Sequence, residues 1–273
     1  MKTKMLLSAV LSGVTLFSAC SKDDTTPNDP NTPDSGTCRL SQISYTTEFD
    51  LSDAPVTANV NYSGGQIESI TPLPYKFQYV YSGSNVVRRN YYKGSTLFYY
   101  DSLRYNSTGA VTLLKGYNGN SRVDSNLYQY LAGQLSKVDY YHQDSAHAGP
   151  LYHAYSEFTF SSSGLLNKVN RFDSDSQPYD NYTYTYGTKE NKLFTDNNAI
   201  NLYLQLSDYL YGDQQNIFYD GFLRSKYLPE TITHIDNSGT HTYTLTYEFN
   251  ANDYPTVVKA NGVTVIQFQY DCQ

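Results

Sequence analysis

Short runs of alternating apolar and polar residues recur along this chain, and each pair of runs is separated by a few polar residues and a glycine. Val60 and Tyr62 precede Gly65, with Ile67 and Ile70 after it. Leu103 and Tyr105 precede Gly109, with Val111 and Leu114 after it. The same frame returns as Tyr128, Tyr130, Gly133, Leu135 and Val138, and as Phe158, Phe160, Gly164, Leu166 and Val169. A fifth copy reads Tyr247, Phe249, Asn252, Tyr254 and Val257, with Asn in the pivot position. Looser copies surround Gly83 and Gly187. Apolar residues at period two make a strand with one buried face. A polar segment ending in glycine supplies a turn with positive φ, so each phrase predicts a β-hairpin. The step of three between the two apolar positions after the pivot leaves two possibilities. Either a bulge re-aims the side chains, or the strand begins only after the turn relaxes.

Successive hairpins predict an all-β antiparallel meander of Tyr-rich repeats that forms a curled sheet. One segment breaks the pattern. "NNAINLYLQLSDYLYG" places Ile200, Tyr203, Leu204, Leu210 and Tyr211 on one helical face, which predicts a short helical insert near 197–211 covering the sheet.

Composition agrees with strands. Thirty Tyr, no Trp and 16% charged residues describe a β-rich chain, and Tyr suits surfaces half buried and half wet. The first nineteen residues read instead as a targeting segment: Lys2 and Lys4, an apolar run from Met5 to Phe17, then "FSAC". That run is shorter than the ~20 residues a spanning helix needs. Residues 20–37 carry Pro, Asn, Asp, Ser and Thr with little apolar surface, which predicts a disordered tether. Residues 38–273 form one domain, long enough for a single core. Removing Lys2 and Lys4 with the leader moves the formal charge from −7 to −9. Nucleic acid and anionic membrane reward basic patches, so an acidic domain points away from both.

Small residues immediately before Cys20 resemble the lipobox of bacterial lipoproteins, whose cysteine is acylated. "SKDD", Ser21, Lys22, Asp23 and Asp24, resembles the export signal of Bacteroidetes-type surface lipoproteins. These resemblances imply an outer-membrane protein anchored by acyl chains on Cys20 and facing the cell exterior. With Cys20 lipidated, Cys38 and Cys272 remain at the two ends of the folded region, in a compartment that permits disulfides, and a bridge between them is expected.

The repeated phrase also resembles the tyrosine-aspartate repeats of Rhs-type wall and toxin-shell proteins, which build long curling sheets. The whole chain, from "CRLSQI" through "SKYLPETITHI" to "FQYDC", resembles a Bacteroidetes-type family of surface lipoproteins of unknown function.

Catalytic constellations are scarce, and no enzyme activity is expected. "HQDSAHAGPLYH" holds three histidines, but its spacings match no zinc signature. Asp173, Asp175 and Asp180 lack the glycine and terminal Glu of an EF-hand loop and read as a hairpin turn. No nucleophile elbow, phosphate loop or dinucleotide fingerprint is present, and neither metal nor cofactor is assigned. The surplus is aromatic: Tyr140, Tyr141, Tyr152, Tyr155, Tyr182, Tyr184 and Tyr186 form the densest group. Exposed Tyr rings stack on sugar faces or peptide side chains at low entropic cost. The expectation is a non-catalytic binding module for a glycan or protein ligand, with a structural or assembly component of the envelope as the alternative.

Overall fold

The computed structural model describes residues 38–45, 55–119, 121–142, 152–193 and 225–272. The leader, the tether and the helical insert expected at 197–211 all lie outside these residues.

Among the described residues, sixteen antiparallel strands follow one another in chain order. They are β1 (Cys38–Tyr45), β2 (Val56–Ser63), β3 (Gln66–Pro72), β4 (Tyr75–Ser82), β5 (Asn85–Lys93), β6 (Thr96–Tyr105), β7 (Val111–Asn118) and β8 (Ser121–Leu131). The second half comprises β9 (Gln134–His142), β10 (Tyr152–Phe160), β11 (Leu166–Phe172), β12 (Pro178–Glu190), β13 (Tyr227–Asp236), β14 (Gly239–Phe249), β15 (Pro255–Ala260) and β16 (Val263–Cys272). Every strand pairs with its neighbour in sequence, and β16 returns to pair with β1, so the meander closes into a barrel. The expected curled sheet is therefore corrected in one respect: it has no free edge. The closing ladder runs from Cys38 opposite Cys272 to Tyr45 opposite Ile266, and a disulfide joins the two cysteines at its outer end.

The repeated phrase's glycine turns, at Gly65, Gly83, Gly109, Gly133 and Gly164, all lie at one end of the barrel, the glycine end, although other positive-φ glycines such as Gly94 and Gly262 turn the chain at the opposite end. Gly65 has φ +81°, and at the β8–β9 turn both Ala132 (φ +50°) and Gly133 (φ +82°) are left-handed. That is the two-residue hairpin geometry matching strand twist. Longer turns in the meander are capped by side chains. Asn106 Oδ1 accepts from the Thr108 and Ala110 amides, and Asp173 Oδ1 from those of Asp175 and Gln177. Asn250 Oδ1 accepts from Asn252 and Tyr254 in the same way. Two copies of the phrase need correcting. The left-handed residue of the last copy is Asp253, not Asn252, so Pro255 and Val258 take the buried places. Gly187 is no turn at all; it lies within β12, where a Cβ would run into the Glu230 side chain.

The step of three after each pivot is a bulge. Asn61 pairs with Ser69 and Tyr62 with Ile67, leaving Glu68 as the extra residue. The same irregularity recurs at Arg104/Tyr105, Gln129/Tyr130, Thr159/Phe160 and Glu248/Phe249. One extra residue lets both apolar side chains point inward despite their odd spacing.

On most even strands the bulge also aims the last inward aromatic; on β14 it precedes Phe249, and Tyr247 takes the equivalent place. The hydroxyls of Tyr62, Tyr81, Tyr105 and Tyr130 donate to the carbonyls of Leu40, Ile67, Val86 and Val111, at 2.7–3.0 Å. Tyr247 and Tyr270 do the same to Pro229 and Pro255. Tyr186 instead accepts from the Ser225 hydroxyl, and Phe160, on β10, has none to offer. A ring of phenols thus stitches hairpins together beside the glycine turns. Burial pushes Tyr62, Tyr81 and Tyr105 to about 12, so they remain donors through physiological pH.

Alternation does the rest. Ile43, Ile70, Val86, Leu166, Val169 and Ile232 face the interior with no exposed surface. Thr57, Asn59 and Asn61 on β2 face water, as do Thr240, Thr242, Thr244 and Thr246 on β14.

Replacing Tyr105 with Phe removes one hydroxyl and leaves the Val86 carbonyl without that donor; a loss of about 1 kcal/mol in urea unfolding is expected. Because the folded tyrosines titrate above their ordinary value of 10.0, the ring contributes fully below pH 10, and that contribution is lost as pH rises toward 12. Unfolding free energy measured against pH should therefore stay flat to about 10 and then fall, less steeply in a Tyr62, Tyr81, Tyr105 triple Phe variant. Reducing the disulfide releases a loop of more than two hundred residues, worth about 5 kcal/mol in the chain-entropy limit, and should lower Tm markedly.

Candidate functional site

The inner wall is apolar near the glycine end and becomes polar across part of the opposite half, where two clusters stand out. The first begins at Arg89. On β5, Val86 and Arg89 hold the places that Ile67 and Ile70 hold on β3, so a guanidinium sits where the repeat calls for an aliphatic side chain. Arg89 and Asp101 have no exposed surface. Arg89 Nε donates to Asp101 Oδ2 at 2.9 Å, Nη2 bonds the same oxygen, and the Tyr91 hydroxyl adds a third bond at 2.6 Å. Next to this group the Tyr99 hydroxyl donates to Asp124 at 3.0 Å, filling the space that Gly116 leaves by lacking a Cβ. Burial pushes the Asp101 carboxyl up, and Arg89 and Tyr91 pull against that. Asp101 Oδ1 and the Tyr79 hydroxyl are buried with no protein partner. The signal in the sequence was the Arg itself, standing at an apolar position of the hairpin frame.

The second cluster lies across β11 to β14. His234 Nε2 is 2.9 Å from Asp180 Oδ1 and 3.7 Å from Asp236 Oδ2. The His234 ring stacks on Tyr182 with centroids 4.5 Å apart and planes 16° apart. Arg171 Nη1 approaches Asp180 Oδ2 at 3.9 Å. Hydrogen bonds from Ser238 hold the Asp236 carboxyl below its usual range. Of the aspartates read from sequence as a hairpin turn, Asp173 serves the turn, while Asp180 points inward to this cluster.

The outer wall carries aromatic pairs. Tyr100 and Tyr117 stack at 4.8 Å with a 12° interplanar angle, and the Arg88 guanidinium lies 3.9 Å from the Tyr100 ring. Four strands further round, Tyr155 and Phe172 stack at 4.5 Å and 13°, with Lys137 Nζ 4.1 Å from the Tyr155 ring.

The tyrosines singled out from sequence divide between the walls. Tyr182 and Tyr184 are inward and 2% and 3% exposed, so a ligand on the outer surface cannot reach them. Tyr186 is inward too, on Ser225. Tyr140 shares the inward face of Val138 and is 36% exposed. Tyr141 and Tyr155 alternate onto the outer face. The Tyr152 side chain, Cys20 and the Ser21–Asp24 run lie outside the described residues, as do residues 143–151 with His147.

No family model matches the chain, and no curated protein matches it. Among solved structures it is similar to a porin-like protein from Bacteroides vulgatus, with a TM-score of 0.56 over 86% of this chain and 99% of that one, at 14% identity. A porin-like protein from Bacteroides uniformis gives a TM-score of 0.53 over 85% and 96%, at 16% identity. At such identities the likeness is one of fold: an antiparallel barrel shared along nearly the whole of both neighbours.

Removing Asp101 leaves Arg89 buried without its counter-charge, so Asp101→Ala is expected to cost about 3–5 kcal/mol in denaturant unfolding. Gly116→Ala drives a methyl into the Tyr99 hydroxyl and should also destabilise, by about 1–3 kcal/mol. Replacing Arg89 and Asp101 together by Met and Leu should recover much of the Asp101→Ala loss.

Proposed function

We propose that the chain is an outer-membrane lipoprotein, anchored through acyl chains on Cys20 and facing the cell exterior. Its barrel acts as a non-catalytic binding module, and a glycan is the ligand its surface fits best. The leader ending in "FSAC" and the Ser21–Asp24 run support the anchor. The neighbours are called porin-like, which supports placing this barrel in the same envelope. Its walls, however, are the reverse of a pore's. A membrane-spanning barrel needs an apolar belt outside, and a channel needs polar, wetted residues inside. Here Ile43, Ile70, Val86 and Ile232 fill the inside without exposure, while threonines and asparagines cover much of the outside. Such a barrel is built to stand in water on a tether.

The observation that carries the binding reading is the pair of cation-capped aromatic stacks on the outer wall, Tyr100–Tyr117–Arg88 and Tyr155–Phe172–Lys137. The stacked rings offer apolar edges to sugar C–H groups, and the adjoining cation offers donors for hydroxyls. A structural or assembly role is the second reading. The closed ladder gives it no edge strand to extend, so it would have to work through side chains alone.

A glycan array followed by pull-down on the purified protein tests this. Saturable binding, reduced at least tenfold by Tyr100→Ala with Tyr117→Ala or by Tyr155→Ala with Phe172→Ala, is the expected result. Absence of any glycan binding, with self-association or a protein partner recovered instead, would transfer the weight to assembly. For the anchor, Cys20→Ser should move the protein from the membrane fraction to the soluble one, and retention in the membrane would contradict acylation.

A further inference from the structure

Two carboxylates converge on one imidazole nitrogen in the second inner cluster, and that arrangement asks for a cation. His234 Nε2, one oxygen of Asp180 and one of Asp236 all lie within 4.8 Å of one another. A ring nitrogen donates one proton to one acceptor, so a hydrogen bond to Asp180 at 2.9 Å leaves nothing for Asp236 at 3.7 Å. We propose that Asp180, His234 and Asp236 form a divalent-cation site whose fitting ion is Zn²⁺. One imidazole and two carboxylates are borderline donors that suit zinc, and three protein ligands leave a position for water or a ligand atom.

The surroundings hold each donor as a coordinating group requires. Asp236 commits its other oxygen to the turn after β13, accepting from the Ser238 amide at 2.7 Å, the Ser238 hydroxyl at 2.6 Å and the Gly239 amide at 3.1 Å. Oδ2 is thereby turned toward His234. Asp180 has its second oxygen toward Arg171, and the imidazole is held flat on Tyr182. The ligands come from β12 and β13, rigid paired strands with Tyr182 directly opposite His234. Side-chain exposures of 17%, 12% and 27% for Asp180, His234 and Asp236 leave a way in for an ion. Charge agrees: two carboxylates beside one guanidinium leave an excess negative charge for the metal to offset.

Isothermal titration of the purified, metal-stripped protein with Zn²⁺ alone tests the assignment. One Zn²⁺ per chain with Kd below about 10 μM and a raised Tm is expected. His234→Ala should weaken binding about 100-fold, and Asp236→Asn, which keeps the oxygen facing Ser238 and Gly239, at least about tenfold. Far-ultraviolet circular dichroism reports whether each variant keeps its sheet. Absence of stoichiometric binding overturns the site. So does binding that a folded His234→Ala leaves unchanged, since the ion would then reside elsewhere.

Discussion

The ladder between β1 and β16 is the constraint on which the rest depends. Without it the chain is a twisted meander with two open edges, each a row of unpaired amides and carbonyls. With it, inside and outside become fixed along every strand, because side chains alternate and a one-residue slip would turn a strand's apolar set into water. The seam is reinforced where it needs it most: Cys38 and Cys272 are covalently joined at its outer end, and Tyr62 and Tyr270 tie the first and last hairpins to their neighbours beside it.

Closure gives tyrosine one of its recurring places. A ring at the ends of the even strands must be bulky enough to fill the glycine end, yet six of its members also satisfy a backbone carbonyl on the preceding strand. Phenol does both, and Phe does only the first. The bulge at the end of these strands supplies the extra backbone that lets the next strand present its own apolar side chain. Polar groups inside the wall are then exceptions that require partners, and Arg89 with Asp101 and Tyr91 shows how fully they must be supplied.

Much of this was legible in the chain. Period-two aromatics followed by glycine gave the hairpins, and the three-residue step gave the bulge as one of two possibilities. Closure was not legible, because it depends on strand number and stagger, which are sums over the whole sheet. Gly187 misled because a glycine after alternating Tyr looks like a turn, whereas it is the Glu230 side chain across the ladder that excludes a Cβ there. Asn252 misled by one position because Asn250 caps a longer turn and moves the left-handed residue to Asp253. For the candidate sites, sequence located aromatic density but could not say which wall Tyr182, Tyr184 or Tyr186 would face. Asp180, His234 and Asp236 lie more than fifty residues apart at the extremes and meet only through the pairing of β12 with β13.

The functional reading we propose follows from the two walls: apolar side chains without exposure line much of the inside, and threonines and asparagines face water on the outside. Everything in that reading rests on the seam being closed in solution. Hydrogen–deuterium exchange of β1 and β16 in detergent-free buffer tests this most directly. Amides of Leu40, Ile43 and Tyr45, and of Ile266, Phe268 and Tyr270, should be protected to the same degree as those of the central strand β8, in both alternating sets. Rapid exchange of every second amide along either strand would mean an open edge, and the closed barrel would be wrong.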